Sequence, residues 1–260
     1  MMHHRGRITV HQFPCLSDNY GFLVRDGATG TVASIDAPDA TTIIAEAESL
    51  GWTINLVLNT HWHPDHAGGN REVADRFGAE IIAPIGEGDR IPEKDRQIDD
   101  GNTVMVGETA FNVVAVPGHT LGHIAYLVPS AATAFVGDTL FSLGCGRVFE
   151  GTAEQMWTSL LKLRALPDET MIFCAHEYTS ANAAFAVTIE PENKDLAARA
   201  KEISKLRLID QPTVPVLLGT EKKTNPFLRA DDPGVKVALA LASAADHEVF
   251  AEIRTRKDNF

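Results

Sequence analysis

An α/β domain followed by a smaller helical one is the fold class that this 260-residue sequence predicts. Short apolar runs separated by turn residues fill the first two thirds of the chain. From Tyr178 onward the apolar spacing is mostly helical, broken by Pro212, Pro215 and the Asn225-Pro226 step. Between these textures the chain predicts a boundary near residues 173–177, dividing it into domains 1–174 and 175–260.

The elements follow in order. Runs 7–13, 20–25 and 31–35 are strands, separated by Ser17-Asp18-Asn19 and Asp26-Gly27-Ala28-Thr29-Gly30. A helix is expected over about 41–50, with Asp39 as its cap and Gly51 as its stop. Run 54–59 is a continuous apolar strand, and a helix at 71–77 stops at Gly78 before the strand at 80–83. Residues 84–100, rich in Gly, Pro and charge, read as loop. Strands at 103–106, 110–116, 124–128 and 134–136 come next. Thr152 and Glu154 open a helix to about 163, and 171–174 is a last strand. Helices are then expected at 180–187, 194–208 and 235–242.

Composition narrows the function classes. The chain is 44% hydrophobic and 22% charged, ordinary for a globular enzyme. No run reaches the roughly 18 apolar residues of a membrane span. Residues 1–7 lead into Ile8-Thr9-Val10 without an apolar stretch, so no signal peptide is expected, and His3 and His4 read as an unstructured terminus. A net charge of −12 repels phosphate backbones and argues against nucleic acid, while leaving room for a local basic pocket. Cys15, Cys145 and Cys174 form no CxxC pair and suit a reducing cytosol as small buried residues. Cys145, within Leu143-Gly144-Cys145-Gly146, is the one candidate for a reactive thiol.

The chemistry is concentrated in Thr60-His61-Trp62-His63-Pro64-Asp65-His66. His61 and His63 lie two apart where the chain leaves a strand, so they project to one side. Asp65 and His66 follow at a turn. An imidazole cluster this tight without a metal would carry a large desolvation and like-charge cost, so the motif reads as a metal platform. His119, Asp138 and His176 each follow a predicted strand. Singly, they read as a turn residue, a cap and a cap. Jointly, they repeat one placement at strand ends that converge on one sheet edge.

These residues resemble the binuclear form of the metallo-β-lactamase superfamily, and within it the hydroxyacylglutathione hydrolases (glyoxalase II). The resemblance extends over nearly the whole chain, through Ser17-Asp18-Asn19-Tyr20, Gly144-Cys145-Gly146-Arg147, Phe149-Glu150-Gly151-Thr152, His176-Glu177-Tyr178-Thr179, Asn225-Pro226-Phe227 with Arg229, and Arg254 with Lys257-Asp258. It implies an αββα sandwich followed by a helical substrate-binding domain. It assigns His61, His63 and His119 to one metal, Asp65, His66 and His176 to a second, and Asp138 as the bridge. Two divalent ions are implied, zinc first, with iron or manganese as alternatives.

The resemblance further implies that Arg147, Phe149, Tyr178, Arg254 and Lys257 bind glutathione. Some relatives carry Lys and Tyr where this chain has Arg147 and Phe149, so the cation is kept and a phenolic hydroxyl is missing. Read alone, Arg254 and Lys257 are charges at the end of a terminal helix, where cations are favoured anyway. Asp36, at a strand end, is either an acceptor that orients a ligand or a turn residue. The implied reaction is attack of a metal-bridging hydroxide on S-D-lactoylglutathione, giving glutathione and D-lactate, with Asp65 and Asp138 as catalytic carboxylates. A thiol leaves as thiolate, so the lack of an evident general acid fits a thioester. The alternatives are a mononuclear-iron glutathione persulfide dioxygenase and a non-catalytic metal-binding module. A cytoplasmic monomer acting on a small glutathione thioester, without nucleic acid or membrane, is the resulting expectation.

Overall fold

A computed structural model describes all 260 residues, which divide into two compact units. The first comprises residues 1–115 with 120–137, the second 116–119 with 138–260.

The first unit opens with β1 (Met2–Arg5), β2 (Ile8–Cys15), β3 (Asn19–Asp26) and β4 (Val32–Ile35), consecutive antiparallel neighbours. Helix α1 (Ala40–Ser49) is capped by Asp39, whose carboxylate accepts from Thr42 N, and crosses to β5 (Ile54–Leu58), parallel to β4. Helices α2 (Pro64–Ala67) and α3 (Asn70–Phe77) precede β6 (Glu80–Pro84) and β7 (Arg96–Ile98), which extend the parallel half. The result is a seven-stranded sheet in sequential order. Strands β8 (Thr103–Val106), β9 (Thr109–Ala115), β10 (Ile124–Val128) and β11 (Thr133–Gly137) form an antiparallel run.

One face of the seven-stranded sheet buries Leu23, Val57 and Ile81 with Ile43 of α1 and Val73 of α3. Its other face meets β8–β11, where Phe22 packs on Phe135 and Phe135 on Phe111 at centroid distances of 5.9 and 6.3 Å. A sheet covered on both faces has continuous apolar strands, which is why β5 lacks clean alternation.

Two expectations need correction. His3 and His4 are not an unstructured terminus, because β1 pairs with β2 and His3 Nε2 bonds Gln12 Oε1 at 2.9 Å. Residues 84–100 are not all loop: two 3₁₀ turns joined by a kink at Gly88 lie within Ile85–Arg90, and β7 pairs with β6. Short, polar edge elements bury little and so leave a faint sequence pattern.

The second unit contains a two-strand hairpin, β12 (Leu140–Phe141) and β13 (Gly144–Cys145), then α4 (Ala153–Arg164). Thr152 and Gln155 form a reciprocal capping box at the start of α4. Strand β14 (Met171–Cys174), α5 (Thr179–Ile189) and α6 (Lys194–Arg207) follow. The chain ends with β15 (Val216–Leu217), α7 (Leu218–Thr224), α8 (Pro233–Ala238) and α9 (Asp246–Asp258). Its core packs Trp157 against Phe250 and Phe185 against Phe227 as tilted ring pairs, with centroids 6.2 and 6.0 Å apart. No helix is long and apolar enough to cross a membrane.

Candidate metal centre

Parallel pairing decides where the first group of side chains lies. Ile35 is in register with Leu58, so the residues leaving the C-terminal ends of β4 and β5 are neighbours. Asp36 leaves β4 with a positive φ of 58°, a conformation Asp tolerates better than most residues. Its Oδ1 accepts from Thr60 N at 2.7 Å. Its Oδ2 accepts from Thr60 Oγ1 at 2.8 Å and from His66 Nδ1 at 2.9 Å.

These bonds set the tautomers. A carboxylate only accepts, so the His66 proton sits on Nδ1 and the Thr60 hydroxyl proton points at Asp36. Thr60 Oγ1 then accepts from His61 Nδ1 at 3.0 Å. Both imidazoles are left with Nε2 as the lone-pair nitrogen, the form a metal requires. His61 Nε2 is 3.0 Å from His63 Nδ1, and His66 Nε2 is 3.6 Å from Asp65 Oδ2. Asn19 donates to Asp65 Oδ2 at 3.2 Å. Pro64, at the first position of α2, turns the chain so that Asp65 and His66 follow His63 within one helical turn.

Asp138 gathers the second group. His119 donates through Nδ1 to the Arg147 carbonyl at 2.8 Å, which gives its Nε2 the lone pair. That nitrogen lies 3.4 Å from Asp138 Oδ2, and His176 Nε2 lies 3.4 Å from Asp138 Oδ1. Two ligand atoms on one tetrahedral ion with bonds of about 2.1 Å stand about 3.4 Å apart. Each carboxylate oxygen therefore has an imidazole partner at ligand spacing. Gly146 permits this geometry, because a Cβ there would fall 1.9 Å from the Asp138 carbonyl oxygen.

Three sets of ligand atoms each fit within 4.8 Å: His61, His63 and His119; Asp65, His66 and His176; and His61, His66 and Asp138. The third set has one member in common with each of the other two. The donors are imidazole and carboxylate only, a composition that suits zinc, iron or manganese and excludes an all-oxygen calcium cage. The residues fit a dinuclear metal site.

The structure also places the remaining candidates. Phe149 and Arg147 are exposed, and the Phe149 ring is 5.2 Å from that of His119. Tyr178 stacks flat on His176, with centroids 4.8 Å apart. Lys257 donates to the Ala181 carbonyl at 3.1 Å; burial, then Arg254 and Arg147, lower its pKa. Arg254 is only 8% exposed and faces inward, donating to the Cys145 carbonyl at 2.9 Å and to Asp258 at 2.9 and 3.1 Å. Cys145 is buried, and burial pushes its thiol up to about 11 against the pull of Arg254. Burial and a raised thiol both disfavour the thiolate, which argues against Cys145 as a nucleophile.

Sequence reasoning passed over three features. His123 is fully buried and stacks on His61, with centroids 4.6 Å apart. The repeated Gly-His step in Gly118-His119-Thr120-Leu121-Gly122-His123 was its available signal. Gly137, at φ 47°, leaves room for that ring, since a Cβ would reach within 2.7 Å of it. Glu87, 1% exposed, accepts from Thr120 Oγ1 at 2.5 Å and pairs with Arg90. Nothing local in its loop marked it.

Residues 26–176 match the model of the metallo-beta-lactamase superfamily, and residues 177–260 match that of the hydroxyacylglutathione hydrolase C-terminus. A hydroxyacylglutathione hydrolase from Hyphomonas neptunium is 55% identical over 253 residues, 97% of this chain and 98% of its own. The chain belongs to the hydroxyacylglutathione hydrolase family. A second member, from Erythrobacter litoralis, is 52% identical over 97% of this chain and 100% of its own. Among solved structures, a metallo-beta-lactamase from Staphylococcus aureus aligns with a TM-score of 0.64 at 24% identity, over 98% of this chain and 72% of that one. The family's architecture is therefore the one seen here: a metallo-β-lactamase-type α/β sandwich followed by a helical C-terminal region.

Proposed function

We infer that this protein hydrolyses the thioester of 2-hydroxyacylglutathiones, converting S-D-lactoylglutathione to glutathione and D-lactate. The observation that carries the reading is the trio of ligand sets in a chain of this family, with Asp138 set against both His119 and His176. His61, His63 and His119 would hold one ion, and Asp65, His66 and His176 the other, with Asp138 bridging. Zinc is the first candidate, with iron or manganese chemically acceptable. Divalent ions bound there supply Lewis acidity, lowering the pKa of a water and polarising a carbonyl.

The chain's own groups do the rest. Asp36 holds His66 directly and His61 through Thr60, so both rings are oriented before substrate arrives. Asp65 and Asp138 are the carboxylates of the ligand sets, and either could take the proton of the reacting water. In the reaction the water oxygen bonds to the acyl carbon, the C–S bond breaks, and the sulfur leaves as thiolate. A thiol pKa of about 8.5 makes that departure feasible without a separate acid.

Glutathione is anionic, and Arg147 and Lys257 offer it the cations of an otherwise acidic protein. Phe149 and Tyr178 present ring surface beside His119 and His176. Arg254 contributes from beneath, by fixing the backbone at Cys145. The work divides between a catalytic domain, 1–174, and a substrate-binding domain, 175–260, a division supported by matched ranges that meet between residues 176 and 177. The protein is proposed to act as a cytoplasmic monomer.

Metal analysis and a thioester hydrolysis assay on one purified sample test the reading. Two equivalents of metal and a KM far lower for glutathione thioesters than for simple acyl thioesters are expected. Equal KM values for the two substrate classes would overturn the substrate assignment. One iron per chain with oxygen consumption would replace it by persulfide oxidation.

A further inference from the structure

Between Asp138 and Arg147 the chain folds into the β12–β13 hairpin, with Leu143 in its turn at φ 57°. Both ends of this segment reach the metal-holding groups. Asp138 begins it, and the Arg147 carbonyl that ends it accepts from His119 Nδ1. The turn is held by side chains from the helical region. Glu221 accepts from Leu143 N at 2.8 Å and from Ser142 Oγ at 3.2 Å. Asn225 Nδ2 donates to the carbonyls of Phe141 and Gly144 at 3.2 and 3.0 Å, and to Glu221 Oε2 at 3.0 Å. The Asn225 Oδ1 accepts from Phe227 N, which aims the amide NH₂ at the hairpin. Both residues are fully buried.

We propose that Glu221 and Asn225 are positioning residues: together they set the hairpin, and the hairpin places Asp138 and His119 for metal binding. Every neighbour bonded to Glu221 is a donor, so its carboxylate form is the one that fits. Burial opposes that form and pushes the carboxyl up to about 7, against the pull of Leu143 and Asn225. A core needing only volume would use an apolar side chain and avoid this desolvation cost. What the polar pair adds is direction, because five bonds converge on four consecutive residues, 141–144, that otherwise share one short strand pair. Asn182 supplies the fifth, to the Ser142 carbonyl.

The inference rests on the reading of His119 and Asp138 as metal ligands, and the experiment separates the two. Zinc-loaded protein is mixed with a chelating dye well below its unfolding temperature, and the rate of zinc release is followed. Glu221→Gln and Asn225→Ala are expected to release zinc about ten-fold faster than the wild type. Asn193→Ala, which loses a bond from the α6 cap to the Lys223 carbonyl on α7, destabilises the same region without touching the hairpin. It is expected to release zinc at the wild-type rate. Wild-type release rates in the first two variants, or equal acceleration in Asn193→Ala, would overturn the proposal. Should the first two fail to fold, Ser142→Ala removes a single bond to Glu221 and is expected to speed release about two-fold; an unchanged rate overturns the proposal. If the wild type itself takes up no zinc, manganese or iron, the metal reading fails instead.

Discussion

Asp36 Oδ2 accepts from His66 Nδ1 at 2.9 Å, and the same oxygen accepts the Thr60 hydroxyl that in turn receives His61 Nδ1. One buried carboxylate thus fixes the tautomers of His61 and His66, which share one ligand set with Asp138 and each serve in one further set. Asp36→Asn keeps the size and the tolerance for positive φ but turns one acceptor into a donor facing other donors. Metal affinity and thioester hydrolysis are each expected to fall about 10- to 100-fold. Metal titration beside the kinetic assay measures this, and a variant with wild-type affinity would mean that Asp36 is a turn residue only.

Removing metal should remove activity. Dialysis against a chelator is expected to abolish hydrolysis, with full recovery after about two equivalents of zinc. His61→Ala and Asp138→Ala should lose metal and activity together, by about 100-fold or more. Elemental analysis of the same samples used for kinetics decides it, and active metal-free protein would end the metallohydrolase reading.

The cation cluster separates into the exposed Arg147, the half-buried Lys257 and the buried Arg254. Lys257→Ala and Arg147→Ala should raise KM for glutathione thioesters several-fold and leave kcat near the wild-type value, the pattern of uniform binding. Arg254→Ala should behave differently, because it strips the donor from the buried Cys145 carbonyl and the partner from Asp258. A loss of about 1–3 kcal/mol in stability is expected beside any effect on KM. Denaturant unfolding of the three variants distinguishes these outcomes.

Acid sensitivity should trace partly to Asp26. Burial alone would raise this carboxyl, but bonds from Thr109 and Thr29 and from Glu108 N bring it down to about 2. The folded value lies below the unfolded one of 3.8, so the stabilisation is present above about pH 4 and lost as pH falls through about 2. Asp26→Asn should destabilise by about 2 kcal/mol at pH 7 and by clearly less near pH 2.5. Urea midpoints across that range measure it, and a penalty independent of pH would refute the assignment.

All three thiols should be silent in the folded protein. Burial pushes Cys15 and Cys145 up to about 11 and Cys174 to about 12. A disulfide reagent at pH 8 should label none within minutes, and all three after unfolding. Fast labelling of Cys145 in the native state would restore it as a reactive group.

Much of the candidate site was legible because its chemistry is clustered or placed at strand ends. Four ligand candidates lie within residues 61–66, and His119, Asp138 and His176 each follow an apolar run. The apolar periods also marked most of the strands and the helices α1, α4, α5 and α6. Edge strand β1 and strand β7 escaped, because a short strand at a sheet margin buries too few apolar residues to show its period.

The sequence by itself determined which side chains could hold metal and that the chain ends in helices, since donor types and hydrophobic spacing are local properties. Only the tertiary structure decided how those donors are oriented. That Asp36 serves His66, that Arg254 faces inward, and that Glu221 and Asn225 grip the hairpin after Asp138 depend on partners 30, 109 and about 80 residues away. Hydrogen-bond direction is set by strand register and side-chain burial, and neither is written in the few residues around a donor.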